Sequence, residues 1–129
     1  MSRAIGGQSL PMNTTNRLDV DIIESASGVI VRLKGDAGVS SADILDRHLL
    51  GLTAKHPPLV VFDLAELHFI SSLGLGMLMQ FQRGLARHSG VMRLAAVHDQ
   101  VLDMLRKCRL DSVFVIRATL SEALEESRE

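Results

Sequence analysis

Hydrophobic and polar positions alternate twice near the start of the chain. Leu18, Val20 and Ile22 alternate with Asp19 and Asp21 over Leu18–Glu24, and Val29, Val31 and Leu33 keep the same period around Arg32. A period of two sends successive side chains to opposite faces, so each segment predicts a strand with one buried face. Ser25-Ala26-Ser27-Gly28 is a short turn between them, which makes the pair an antiparallel hairpin. Gly35–Gly38 is then expected to break the sheet. From Ser40 the period becomes helical: Asp43 follows three residues on, as in a capping box, Ile44, Leu45, Leu49 and Leu52 share a face, and Pro57-Pro58 stops the run.

Leu59-Val60-Val61-Phe62 is apolar without alternation, the mark of a strand covered on both faces and hence of the centre of a parallel sheet. A loop is expected after it. Helical spacing returns over Leu73–His88, with Leu75, Leu78, Met79, Gln82, Leu85 and Ala86 on one side and Gly76, Gln80, Arg83 and Arg87 on the other. Phe81 falls near the core margin. Gly90 ends this helix, Val91–Val97 reads as a strand, and Asp99 can cap a helix carrying Val101, Leu102, Leu105 and Cys108. Val113–Ile116 is a short last strand, and Ser121 opens a charged terminal helix. The order β, β, α, β, α, β, α, β, α predicts an α/β fold in which an opening β-hairpin is followed by mostly parallel strands alternating with helices.

Composition narrows what such a domain can do. The 129 residues suit one domain. We assign it to residues 17–129, with residues 1–16, rich in Gly, Ser, Thr and Asn, as a flexible arm. Apolar residues make up 47% and aromatics 3%, so the core must be aliphatic. With 14 basic and 15 acidic residues interspersed, no basic patch points to nucleic acid or an anionic membrane. Cys108 is the only cysteine, which excludes an intrachain disulfide and suits a reducing cytoplasm. The longest stretch without Asp, Glu, Lys or Arg, Leu67–Gln82, is shorter than a membrane-spanning helix needs.

Functional residues in open α/β sheets collect beyond the carboxyl ends of the strands, which selects the segment after Phe62, from Asp63 to Gly76. Ser72 stands where an N-cap belongs, beside the free N–H groups and the positive dipole end of the following helix, where a phosphate would be well received. Gly74 and Gly76 in the first turn, and Gly84 further along, each cost roughly 0.5–1 kcal/mol against alanine in a helix, which implies that something approaches that backbone closely. The bland readings are a simple cap and tight helix packing. Leu73, Met77 and Gly84 project onto the edge between the apolar stripe and the polar face, a margin suited to a protein partner, although Met77 equally fits peripheral core.

Asp63-Leu64, Leu67, Phe69-Ile70, Ser72 and Gly74-Leu75-Gly76, together with Gly35-Asp36 after the second strand and the element order, resemble the STAS domain, and within it the bacterial anti-sigma factor antagonists. The resemblance covers about Leu18 to Glu126. It implies a non-enzymatic, cytoplasmic module that binds an anti-sigma factor, itself a GHKL-type serine kinase. The partner releases its sigma factor on binding and switches the antagonist off by phosphorylating the residue matching Ser72, with Ser71 as the second candidate. The implied contact surface is Ser71, Ser72, Leu73, Gly74, Gly76, Met77 and Gly84. The chain departs from the family pattern where Ser71 replaces the usual acid before the phosphoserine, where Gly38 replaces the Asp closing the turn after the second strand, and at Leu73, where a small residue is common. The two missing acids favour a second role for such a module, as the scaffold of a sensory complex or the cytoplasmic subunit of a lipid transporter. A small-ligand-binding domain is a third.

Rival chemistries lack parts. A phosphate receiver needs an acidic pair after its first strand and a lysine after its last, whereas Asp19 and Asp21 lie within the strand and Arg117 is the nearby base. Asp63 reads instead as a structural carboxylate accepting hydrogen bonds from the chain that follows it. The segment is not Gly-x-Ser-x-Gly, Gly74-Leu75-Gly76 has Met79 in place of a third glycine, and the five histidines show no ligand spacing, so neither hydrolase, dinucleotide cofactor nor metal is expected. His68 is expected in a loop near the partner surface, and Cys108 as a small buried hydrophobe.

Overall fold

A computed structural model describes residues 17–125. The expected arm over residues 1–16 lies outside them, as do the last four residues. The hairpin forms as predicted, with β1 at Leu18–Ser25 paired antiparallel to β2 at Gly28–Ala37 through a turn in which Gly28 takes φ +153°. The expected break at Gly35 does not occur. Gly35 instead takes φ +97° inside β2, with the Arg17 carbonyl so close that a Cβ would lie 2.2 Å from it, and the strand runs on to Ala37. β1 is also less buried than its alternation implies: it is an edge strand, and only Leu18 is fully covered.

A 3-10 turn at Val39–Ser41 leads into α1, Ala42–Ala54. The helix therefore starts one residue later than the Ser40 capping box predicts. Ser41 is the N-cap and makes no capping bond, because its hydroxyl donates to the Asp36 carbonyl and ties the turn to the end of β2. Leu45, Leu49 and Leu52 are buried as expected, while Ile44 is exposed.

The strand at Leu59–Ile70, β3, is central, parallel to β2 on one side and to β4 (Val91–Ala95) on the other. Asp63–Ile70, expected as loop, thus continues the strand. The physical reason lies in its register. Against β2, which advances from Arg32 to Lys34 and from Gly35 to Asp36, β3 advances from Asp63 to Glu66 and from Leu67 to Phe69, one extra residue each time. Two bulges convert the period of two into burial of Leu64, Leu67 and Ile70, every third residue, which no alternation test recognises. The Asp63 carboxylate accepts from Ala65 N at 3.1 Å and from Arg32 Nε at 3.0 Å, the structural role expected of it at the first bulge.

α2 (Ser72–Ala86) and α3 (Asp99–Lys107) complete one face with α1, over a core of Leu33, Phe62, Leu64, Leu78 and Leu105 among others. Phe81 belongs to that core, edge-on to Phe62 with ring centroids 5.7 Å apart, rather than to its margin. A 3.6-residue period alone places it off the stripe because it does not register how far a large ring reaches. β5 occupies Val115–Arg117, two residues later than expected at its start, and α4 (Leu120–Glu125) covers the opposite face over Leu59, Val61 and Ala95, with Thr119 capping it through Glu122 N. The observed order, hairpin then parallel crossovers, is the predicted one. Among the described residues no helix is long and apolar enough to cross a membrane.

Candidate functional site

The bulged end of β3 delivers the chain to the start of α2 at the carboxyl edge of the sheet. Ser71, not Ser72, is the N-cap: its backbone is extended (φ −82°, ψ 165°), and its hydroxyl accepts from Gly74 N at 3.1 Å. The same residue donates its N–H to the Ala37 carbonyl at 2.9 Å, fastening α2 to the end of β2. Buried and doubly bonded, Ser71 is structural here. The cap expected at Ser72 is instead the residue before it, which directly follows the end of β3 at Ile70. Ser72 becomes the first helical residue, exposed, with no hydrogen bond to its hydroxyl among the described residues. One serine satisfies the helix and the adjacent one presents a free hydroxyl to solvent.

The three glycines separate on inspection. Gly74 is buried, and a Cβ there would stand 2.9 Å from Ile70 Cγ1 and 3.3 Å from the Ala37 carbonyl oxygen. The close approach predicted at this backbone is thus made by the chain itself. At Gly76 nothing lies within 4 Å, so its absent side chain leaves an open, half-exposed helix surface. Gly84 meets only Thr53 Cγ2, at an ordinary 3.5 Å.

Around Ser72 the surface is apolar. Leu73 is 45% exposed, Phe69 at the end of β3 is 47% exposed, and Val39 in the turn before α1 is 69% exposed. Phe69 lies over Gly38, where a Cβ would be 3.8 Å from its ring. Gly38, read from the sequence as a lost acid, therefore leaves room beside an aromatic edge. Val39 and the exposure of Phe69 were beyond sequence reasoning, since Phe69 sits on the second bulge and faces out only because of it. The first turn of α2 contains no acidic residue, which leaves the positive end of its dipole without a counter-charge in that turn. Met77 is half-buried against the main core, and Met77 and Gly84 both face the groove toward α1.

His68 is exposed on β3 rather than in a loop, its ring stacked on His98 with centroids 5.6 Å apart, and His98 Nε2 bonds the Ala65 carbonyl. No cluster of three or more His, Cys, Asp or Glu able to hold a metal occurs among the described residues. Cys108 is half-buried just past α3, less covered than expected.

Fold and site together define a small α/β module that presents an uncharged helix start, with one free hydroxyl, inside an apolar collar. The model of the STAS domain matches residues 17–123, and the chain belongs to that family. Its fold is similar to that of an anti-sigma factor antagonist from Mycobacterium paratuberculosis, at 23% identity over 88% of this chain and 97% of that one, with a TM-score of 0.80. It is also similar to the phosphorylated form of the Bacillus cell fate determinant SpoIIAA (16% identity, 84% and 97% covered, TM-score 0.65). A sulfate transporter family protein from Wolinella succinogenes shares the fold as well (18% identity, 74% and 80% covered, TM-score 0.63).

Proposed function

We propose that this chain is a non-enzymatic, cytoplasmic anti-sigma factor antagonist, which binds an anti-sigma factor kinase of the GHKL type and is switched off by phosphorylation of Ser72. The observation that carries the reading is the division of labour between the two serines: Ser71 caps α2, while Ser72 is exposed with an unused hydroxyl. The partner surface comprises Ser72, Leu73, Gly76, Met77 and Gly84, extended by Phe69 and Val39, with Ser71 and Gly74 holding the backbone beneath.

A phosphate on Ser72 would be tolerated by the protein itself, since the helix N-terminus favours an anion and its first turn holds no acid to repel one. The same charge of about −2 placed within the apolar collar would oppose burial by a partner, because desolvating it costs more than the contact returns. Phosphorylation then acts on the interface and not on the fold. Ser71 leaves the cap intact where relatives usually carry an acid: Ser and Asp are equivalent N-caps, so the exchange keeps the cap and removes only a charge.

Incubation with the cognate kinase and ATP is expected to add one phosphate, abolished by Ser72→Ala. Phosphate mapped to Ser71, or none at all, would overturn the switch. The second reading, a STAS module within a transporter or sensory assembly, is favoured by the shared fold of the sulfate transporter family protein and by the missing acids at positions 71 and 38. Recovery of transporter subunits alone on affinity purification from the native host would establish it instead.

A further inference from the structure

α1 and α2 run side by side in the same direction. At one end Gly74 lies against Ala37, just ahead of α1, and at the other Gly84 lies against Thr53. Between the helices is a groove of about 170 Å³ floored by Leu49, Met77 and Phe81 and edged by Leu50 and Gly84. A cavity of that order accepts a group of roughly benzene size, and so one aliphatic side chain. Leu50 on its rim is 63% exposed, more than any other large apolar side chain among the described residues except Val39. The face therefore offers both a hole and, next to it, a knob.

Charge along this face is antisymmetric. Asp46, in the first half of α1, lines the end nearer the helix starts, and Arg87, the C-cap of α2, lines the far end. Asp46 and Arg87 are exposed, and neither makes an ion pair among the described residues. A groove of one sign would repel its own copy. One that is acidic at one end, basic at the other and apolar between meets the condition for pairing with itself, because a two-fold axis across its middle sets each acid over a base.

We propose that this face associates with a second copy of the chain, helices antiparallel, with Leu50 of each copy entering the groove of the other and Asp46 facing Arg87 of the second copy at two equivalent places. The pairing stands apart from phosphorylation of Ser72. It does cover Met77 and Gly84, so an anti-sigma factor using that margin would have to displace the second copy.

Sedimentation equilibrium of the full chain over a dilution series tests this. The mass is expected to approach a dimer at high concentration and fall to a monomer on dilution, with Leu50→Glu monomeric throughout. Asp46→Arg and Arg87→Asp should each weaken the dimer about tenfold by setting like charges opposite one another. An equimolar mixture of those two variants should associate with the wild-type affinity, since the mixed pair restores both attractions. The proposal is overturned by a wild-type chain that stays monomeric at its highest soluble concentration, by a dimer indifferent to all three substitutions, or by a mixture no tighter than its components. All three positions are exposed, and thermal melts would verify folding; if Leu50→Glu fails to fold, the mixture still decides.

Discussion

α2 and α3 begin at equivalent places, each following a parallel strand over the carboxyl edge of the sheet, yet their first turns differ in every property that matters for recognition. α3 opens on exposed His98, Asp99 and Gln100, its N-cap side chain makes no capping bond to the helix, and Asp99 offsets the helix dipole from within the first turn. α2 opens on a buried capping serine, carries no acid in that turn, and is ringed by exposed Val39, Phe69 and Leu73. The topological rule that places sites beyond strand ends selects both helices equally. What singles out α2 is local chemistry: a satisfied backbone, an uncompensated positive end, and apolar surface that gains by being covered.

Charge distinguishes the two helix starts most directly. Ser72→Glu is expected to weaken binding to the anti-sigma factor about 100-fold relative to Ser72→Ala, because a carboxylate must then be desolvated within the apolar collar. Gln100→Glu introduces the same charge at the start of α3 and should leave that affinity unchanged. Isothermal titration of the three variants would measure it. Equal losses from Ser72→Glu and Gln100→Glu would mean that net charge, and not the α2 surface, governs the interaction.

A second test separates the two glycines within one turn of α2. Gly74→Ala is expected to lower stability by about 1–3 kcal/mol, since its methyl group would meet buried Ile70 at 2.9 Å with no room to relax. Gly76→Ala meets nothing within 4 Å and should raise stability by about 0.5–1 kcal/mol through helix propensity alone. Urea denaturation would read both. Stabilisation by Gly74→Ala would show that the α2 start is not locked onto β3 as its packing implies.

The same contrast explains what the sequence could and could not disclose. Element order, the hairpin, the central position of Leu59–Phe62 and most of the helical stripes were legible, because each rests on a period that burial imposes along an element, while Ile44, Phe81 and Ala86 depart from it. The last eight residues of β3 were not, since two bulges shift the outward-facing positions to Ala65-Glu66 and His68-Phe69 and imitate a loop. That hidden register also turns Phe69 outward. The serine pair itself was legible as a helix start, but which serine is used by the fold depends on a single residue of register. Likewise, a glycine in a first helical turn signals close approach without saying whose. At Gly74 the neighbour is the chain's own Ile70, and no pattern in the sequence encodes that contact.

The smallest expected effects concern the caps themselves. Ser71→Ala should cost about 1 kcal/mol, leaving Gly74 N without its side-chain partner in a buried setting. Asp99→Asn at the exposed start of α3 should cost about 0.3–0.5 kcal/mol, the dipole contribution of one surface charge. Ser71→Asp is the informative third variant: as an equivalent cap it should hold stability within about 0.5 kcal/mol of the wild type. It also places an acid directly before Ser72. If the kinase then modifies Ser72 faster while the melting temperature is unchanged, the acid serves the kinase and not the helix. If stability falls instead, the carboxylate is not accepted in the buried position that Ser71 occupies, and the equivalence of the two caps fails at this site.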